Sequence, residues 1–411
     1  MAIERDAENN ASRHFRDRAY QLWLQAHTHS FRIALVFIIF AACAFVLGYE
    51  ASFTSAATRY ARAVRWLFNA DHAVFKRDAC DAALGRRRFW VMNVVTANDF
   101  CVQHAKMGSA AIAAEPGLRF QLVGDWGRDG MCCQHDVAYE MARAAATSKP
   151  RFIVSVGDNF YESGIVKATD AQVNRSWRNV YLKYEALKVP WKMLLGNHDY
   201  NGNVSAQEVL GRDDAFWHMP ARYYFETFDN GGNSVLLVYL DTSVMYYMHD
   251  EFDHLWDTVD VEYRVKQLDD VRARLLESNA KWKIVVAHHP LFSSGENSVH
   301  ELRNLKQMQT LLLPMLKECG VDAYISGHEH LMEHLVSDGV HFFVSGAGSK
   351  ISSVRRNWSQ SVFALDRQGF VDVVVSNVSD VMKVRMVDMK GAIVHRATLR
   401  HRNESSSSSG T

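Results

Sequence analysis

Gly196-Asn197-His198-Asp199-Tyr200 decides the reading of this 411-residue chain, because four other short segments carry residues of the same chemical type. They are Gly124-Asp125-Trp126-Gly127, Gly157-Asp158-Asn159-Phe160-Tyr161, Ala287-His288-His289-Pro290 and Gly327-His328-Glu329-His330. Each of the five follows a short apolar run, at 120–123, 152–156, 191–195, 283–286 and 323–326, that reads as a buried strand. Stretches at 133–147, 261–278 and 302–317 have helical length and period, and strands alternating with helices point to an α/β domain. In open α/β sheets the loops beyond the carboxyl ends of the strands build the site. Asp, Asn, Tyr and His brought to five such ends form a set of hard oxygen and imidazole donors suited to iron, zinc or manganese.

The rest of the composition sets bounds. Hydrophobic residues make up 48% of the chain, ample for one large domain or two to three ordinary ones. Lys plus Arg equals Asp plus Glu at 46 each, so no global basic bias suggests nucleic acid and no acidic bias suggests a disordered chain. Six cysteines are too few for a disulfide scaffold, and their spacing gives no zinc motif. Cys80 and Cys101 would be able to pair if their region faces an oxidising lumen, whereas Cys132, Cys133 and Cys319 read as domain residues.

Residues 1–32 read as a polar cytosolic tail, and 33–49 as an uncharged run near the lower end of membrane-spanning length. A run apolar all round suits lipid better than a globular surface. A cleavable signal peptide usually lacks so long a polar tail ahead of its apolar core, so an uncleaved signal anchor is the expectation. Arg18 and Arg32 before the run are matched by Arg59 and Arg62 after it, which leaves charge silent on orientation. Glycosylation acceptors at Asn174, Asn203, Asn357, Asn377 and Asn403 all follow the run, placing the large part in the lumen or outside the cell, at an endosome, a lysosome or the cell surface. Residues 50–116 read as a stem or flap, 117–394 as the catalytic-type domain and 395–411 as a polar disordered tail.

The five segments, in their order, resemble the metallophosphoesterase superfamily, and within it the purple acid phosphatases. Most of the superfamily opens with Asp-x-His, where this chain has Asp125-Trp126-Gly127. The purple acid phosphatases share that gap and supply a tyrosine three residues after the second Asp, the position of Tyr161. Gly157 to Tyr161, Lys188-Val-Pro-Trp191, Gly202-Asn-Val-Ser-Ala-Gln207, Leu240-Asp-Thr242 and Ser345-Gly-Ala-Gly348 are most similar to the small animal-type branch, tartrate-resistant acid phosphatase. The resemblance implies a calcineurin-like sandwich of two packed sheets flanked by helices, here preceded by one transmembrane helix.

It also implies roles. Asp125, Tyr161 and His330 would serve a ferric site, Asp158 would bridge, and Asn197, His288 and His328 would serve a divalent site of iron, zinc or manganese. His198 would be the outer-shell residue that meets the substrate and protonates the leaving group, with His289 and Glu296 as further substrate-side candidates. Such a centre hydrolyses phosphomonoesters with a metal-activated hydroxide at acidic pH. Asn297 occupies the place of an additional active-site His in the animal enzymes, which leaves Glu296 and His300 nearby in sequence. The acidic segment 246–262 occupies the place of that family's regulatory loop. The alternatives are a phosphodiesterase or protein phosphatase using two divalent metals, and a surface recognition protein without catalysis.

Overall fold

The computed structural model describes residues 115–131, 133–246, 261–356 and 358–401. The expected anchor at 33–49, nearly all of the stem, Cys80, Cys101, the acidic residues of the 247–260 segment, Asn357 and Asn403 lie outside the described residues. Among the described residues no helix is long and apolar enough to cross a membrane.

Fourteen strands are described, in two seven-stranded sheets. The first has the order β14 (Ile393–Arg400), β13 (Val381–Asp388), β12 (Gly369–Ser376), β1 (Gly117–Val123), β2 (Phe152–Ser155), β3 (Trp191–Met193) and β4 (Trp217–His218). The second has the order β11 (Ser361–Leu365), β9 (Met332–Ser337), β10 (Val340–Ser345), β8 (Ala323–Ser326), β7 (Trp282–Ala287), β6 (Val235–Leu240) and β5 (Tyr224–Phe228). The parallel strands that carry the argument are β1 (Gly117–Val123), β2 (Phe152–Ser155) and β3 (Trp191–Met193) in the first sheet. In the second they are β6 (Val235–Leu240), β7 (Trp282–Ala287), β8 (Ala323–Ser326) and β10 (Val340–Ser345). β1 pairs β2 and β2 pairs β3 in parallel, as do β6 with β7, β7 with β8 and β8 with β10.

The period-two alternation of side chains makes the sandwich. In β6, Val235, Leu237 and Tyr239 enter the core between the sheets, while Leu236, Val238 and Leu240 enter the core beneath the helices. In β7, Trp282, Ile284 and Val286 take the inner side and Val285 and Ala287 the outer. Strands buried on both faces read as unbroken apolar runs, which is how parallel strands covered by helices appear in sequence. Helix α1 (Gln134–Ser148) packs its Val137, Ala138, Met141 and Ala145 on the first sheet with four tryptophans, Trp126, Trp177, Trp191 and Trp217.

After α1 come α2 (Asn197–Tyr200), α3 (Val204–Asp213) and α4 (Ser243–Tyr246). Helix α5 (Val261–Glu277), the short α6 (Glu296–His300) and α7 (Leu302–Glu318) complete the set. Residues of α4, α5 and α7 fill the outer core of the second sheet, among them Met245, Val271, Leu275, Met308 and Leu312. The three long helices start and stop within one residue of the sequence reading. One boundary differs: β14 runs Ile393–Arg400 against β13 (Val381–Asp388), so the first residues of the expected polar tail are strand. Leu399, buried on the inner side, holds that strand in the sandwich.

Candidate metal centre

The five loops meet where the parallel strands of both sheets end. Asp125 follows β1, Asp158 follows β2, Asn197 opens α2 after β3, His288 follows β7, and His328 and His330 follow β8. Asp125, Asp158 and His328 hold φ of 58°, 52° and 66°, the left-handed region that non-glycine residues rarely enter. Strain of this kind concentrates at functional sites and persists only where the surroundings enforce it.

A buried polar network holds the loops of Asp125 and Asp158, and the His328 N–H donates to Asp125 Oδ2 at 3.0 Å. Trp126 Nε1 donates to Ser155 Oγ at 2.9 Å, and Ser155 Oγ lies 2.5 Å from Asn159 Oδ1. Asn159 Nδ2 donates to the Leu194 carbonyl at 2.8 Å and to Gln207 Oε1 at 2.9 Å, and Gln207 Nε2 donates to Asp199 Oδ1 at 2.8 Å. The loops after β1, β2 and β3 are thereby tied into one unit. Asp199 also accepts the N–H groups of Gly196 and Asn159, at 2.9 and 3.0 Å, which fixes the start of α2. Burial, with Asp158 nearby, raises Asp199 to about 7 against the pull of these donors.

The donor atoms fall into two groups of four. In the first, the Tyr161 hydroxyl oxygen lies 2.9 Å from Asp125 Oδ1, 2.7 Å from Asp158 Oδ2 and 3.2 Å from His330 Nε2. In the second, Asn197 Oδ1 lies 3.1 Å from both His288 Nε2 and His328 Nδ1, and His288 Nε2 lies 3.4 Å from Asp158 Oδ1. Asp158 therefore gives one oxygen to each group. His288 Nδ1 donates to the Val156 carbonyl at 2.8 Å, so its Nε2 is the nitrogen left for a ligand.

The electrostatics fit a cation. Asp125 and Asp158 are 0% and 2% exposed, so two carboxyl groups share a site almost without water. Burial opposes ionisation of Asp158, yet His288, His198 and the hydrogen bonds of Tyr161 and the His198 N–H bring it down to about 2. Burial, followed by the charges of Asp125 and Asp158, holds the Tyr161 hydroxyl well above its usual range. A bound cation reverses that logic by stabilising the phenolate. Phenolate, carboxylate and imidazole suit iron at the first group; amide oxygen, carboxylate and two imidazoles suit a divalent ion at the second.

Around these donors stand residues of less direct kind. His198 Nδ1 donates to the Glu162 carbonyl at 2.6 Å, which turns Nε2 toward the centre, 3.9 Å from Asp158 Oδ2. His289 is fully buried, with Nδ1 3.0 Å from Thr242 Oγ1 and its ring stacked on Tyr246, so it backs His328. Glu296 pairs with Arg355 at 3.3 Å and His300 is exposed at the end of α6. Asn297 Nδ2 donates to the His328 carbonyl at 3.3 Å.

Two residues were not legible as part of the site. Glu301 Oε2 lies 3.2 Å from His328 Nε2, and Arg128 stacks on the Tyr161 ring. The one signal for Glu301 in the sequence is its place beside Glu296 and His300. Gly127, at the position where most of the superfamily carries a ligand His, has no room for a side chain, since a Cβ would collide with the Asn159 carbonyl.

Comparison with known proteins agrees with this geometry. Residues 118–332 match the family described as calcineurin-like phosphoesterase. Purple acid phosphatase 4 of Arabidopsis thaliana is 33% identical over 72% of this chain and 85% of its own. Human tartrate-resistant acid phosphatase type 5 is 32% identical over 62% of this chain and 80% of its own. Among solved structures, one described as GAP50, the anchor in the inner membrane complex of Plasmodium, superposes with a TM-score of 0.61 at 26% identity, covering 71% of this chain and 90% of that one. The chain belongs to the calcineurin-like phosphoesterase family, among the purple acid phosphatases, and is a metal-dependent phosphoesterase.

Proposed function

We propose that this protein is an acid phosphatase that hydrolyses phosphomonoesters at a binuclear centre of ferric iron and a divalent metal, with Asp125, Asp158, Tyr161 and His330 at the first site and Asp158, Asn197, His288 and His328 at the second. The observation that carries this reading is the division of Asp158, with Oδ2 beside Tyr161 and Oδ1 beside His288. When bound, the metal pair neutralises phosphate oxygens and acidifies water, and ferric iron, the stronger Lewis acid, does so at lower pH than a divalent ion.

The chain's own residues do the remainder. The side-chain network through Asn159, Gln207 and Asp199 fixes the donor positions before substrate arrives, so little reorganisation accompanies reaction. With Nδ1–H given to the Glu162 carbonyl, protonated His198 carries its second proton on Nε2, on the side of Asp158. From there it protonates the departing alkoxide as a general acid. Glu301 holds the far nitrogen of His328 and so fixes that ring's orientation.

The test is turnover of p-nitrophenyl phosphate and of an alkyl phosphate at acidic pH, before and after chelation, with Asp158→Ala as the inactive control. Activity on bis(p-nitrophenyl) phosphate alone would favour a phosphodiesterase with two divalent metals, which Tyr161 and the filled space at Gly127 argue against. No turnover by metal-replete protein would favour the reading suggested by the Plasmodium relative, that of a binding or anchoring protein.

The same proposal includes a membrane anchor at 33–49 and a stem at 50–116, with the domain in the lumen or outside the cell. Exposed acceptors at Asn174 and Asn203 support it, while Asn377 is half-buried. Alkaline carbonate should leave the protein in the membrane pellet, and endoglycosidase should shift its mobility. A soluble product beginning after residue 49 would overturn the anchor.

A further inference from the structure

We infer that Arg128 is a positioning residue for Tyr161, holding the phenol in its metal-facing attitude and offsetting the negative charge that the ring carries as a ligand. The inference rests on Tyr161 being a metal ligand, as proposed above. The Arg128 guanidinium carbon lies 3.4 Å from the centre of the Tyr161 ring, well inside the range of about 6 Å within which a cation is attracted to an aromatic face.

The surroundings are built for this contact. Arg128 is only 10% exposed in its side chain although it carries a full charge. Its Nη1 donates to Glu162 Oε1 at 2.7 Å, and its buried Nε has no hydrogen-bond partner among the described residues. The ring face is thus the main neighbour of the guanidinium besides one carboxylate. The two loops are also joined through their backbones, since the Tyr161 N–H donates to the Gly127 carbonyl at 2.9 Å and Gln172 Nε2 donates to the carbonyls of both Tyr161 and Gly127. His198 packs on the same ring at 4.4 Å between centroids, so Tyr161 is restrained by an arginine and by the proposed proton donor. A guanidinium is planar and weakly hydrated, which lets it lie flat on a ring where an ammonium cannot.

Simple repulsion between cations predicts the opposite sign. Arg128 is a positive charge close to a proposed metal site, so its removal would tighten metal binding if charge alone mattered. A positioning role predicts weaker binding, and specifically binding that acts through Tyr161. A cation over the ring also lowers the energy of the phenolate electrons, so its loss should move a phenolate-to-iron absorption band to longer wavelength.

The experiment is a double-mutant cycle on full-length purified protein, comparing the wild type, Arg128→Met, Tyr161→Phe and the double variant. Retention of the metal held on purification is followed by elemental analysis during competition with a chelator, together with the visible spectrum. Arg128→Met should weaken retention about 10- to 100-fold, the usual effect of losing an outer partner of a ligand. In the Tyr161→Phe background the same change should cost less than about 3-fold, a departure from additivity that measures the coupling of the two residues. Arg128→Lys, which keeps charge without flat stacking, should fall between wild type and Arg128→Met, and it keeps the test open if Arg128→Met does not fold. Unchanged or tighter retention, or equal losses in both backgrounds, overturns the role of Arg128. Unchanged retention in Tyr161→Phe would instead remove Tyr161 as a ligand, and the inference with it.

Discussion

Glu301 Oε2 lies 3.2 Å from His328 Nε2, so the imidazole whose Nδ1 meets Asn197 is gripped from behind by a carboxylate. Burial works against a charged His328, but the hydrogen bond and charge of Glu301 outweigh it and raise the imidazole to about 9. With a metal at Nδ1 in place of the proton, Nε2–H still donates to Glu301, the arrangement that commonly orients metal-binding histidines. Glu301→Gln keeps an acceptor and removes the charge. It should lower metal affinity about 10- to 100-fold with the fold intact. Chelator competition measures this, and affinity equal to wild type would leave Glu301 a bystander.

Gly196 gives a steric prediction. A Cβ at this position would collide with Asp158 Oδ1 and with the Asp158 amide nitrogen. Gly196→Ala should push the shared carboxylate out of place, cost about 1–3 kcal/mol by overpacking and reduce the content of both metals together. Elemental analysis beside a urea unfolding curve reads both effects, and full metal content would contradict the shared role of Asp158.

Away from the site, three histidines form a chain whose stability depends on acid. His334 Nδ1 lies 3.0 Å from His395 Nε2, and His334 Nε2 lies 3.0 Å from His341 Nδ1. Burial, then the neighbouring His341 and His395, lowers His334 to about 3. An unfolded histidine titrates near 6.5, so between these values the unfolded chain binds the extra proton. The contribution is complete above about pH 6.5 and is lost as pH falls toward 3. His334→Phe should flatten the dependence of the urea midpoint on pH in that window relative to wild type. Parallel curves for the two proteins would exclude His334 as the titrating group.

His198 predicts a dependence on the leaving group. General acid catalysis typically contributes about 10²- to 10⁴-fold. His198→Ala should lose kcat on this scale for alkyl phosphates and far less for p-nitrophenyl phosphate, whose leaving group scarcely needs a proton. Metal content should stay at the wild-type level. Equal losses on both substrates would point to phosphate binding.

How much of this was legible in the sequence depends on range. Short apolar runs leading to Asp, Asn or His mark five of the parallel strands, β1, β2, β3, β7 and β8, and all seven ligand candidates gather in two groups around Asp158. The alternation within Val235–Leu240 was invisible, because both faces are buried and every residue is apolar. The sheet assignment therefore came from family resemblance. The left-handed backbone at Asp125, Asp158 and His328 leaves no mark in residue type, since Asp and His also occur in ordinary turns. Arg128 and Glu301 carry no mark of their role in the sequence, because each acquires meaning only from a partner at another strand end, Tyr161 and His328.

The most direct test of the central claim is metal analysis with a visible absorption spectrum on the purified, oxidised protein and on Tyr161→Phe. Two metals per chain, at least one of them iron, with a violet charge-transfer band that Tyr161→Phe abolishes, is the predicted result. A colourless wild type filled with zinc or manganese would contradict the ferric centre.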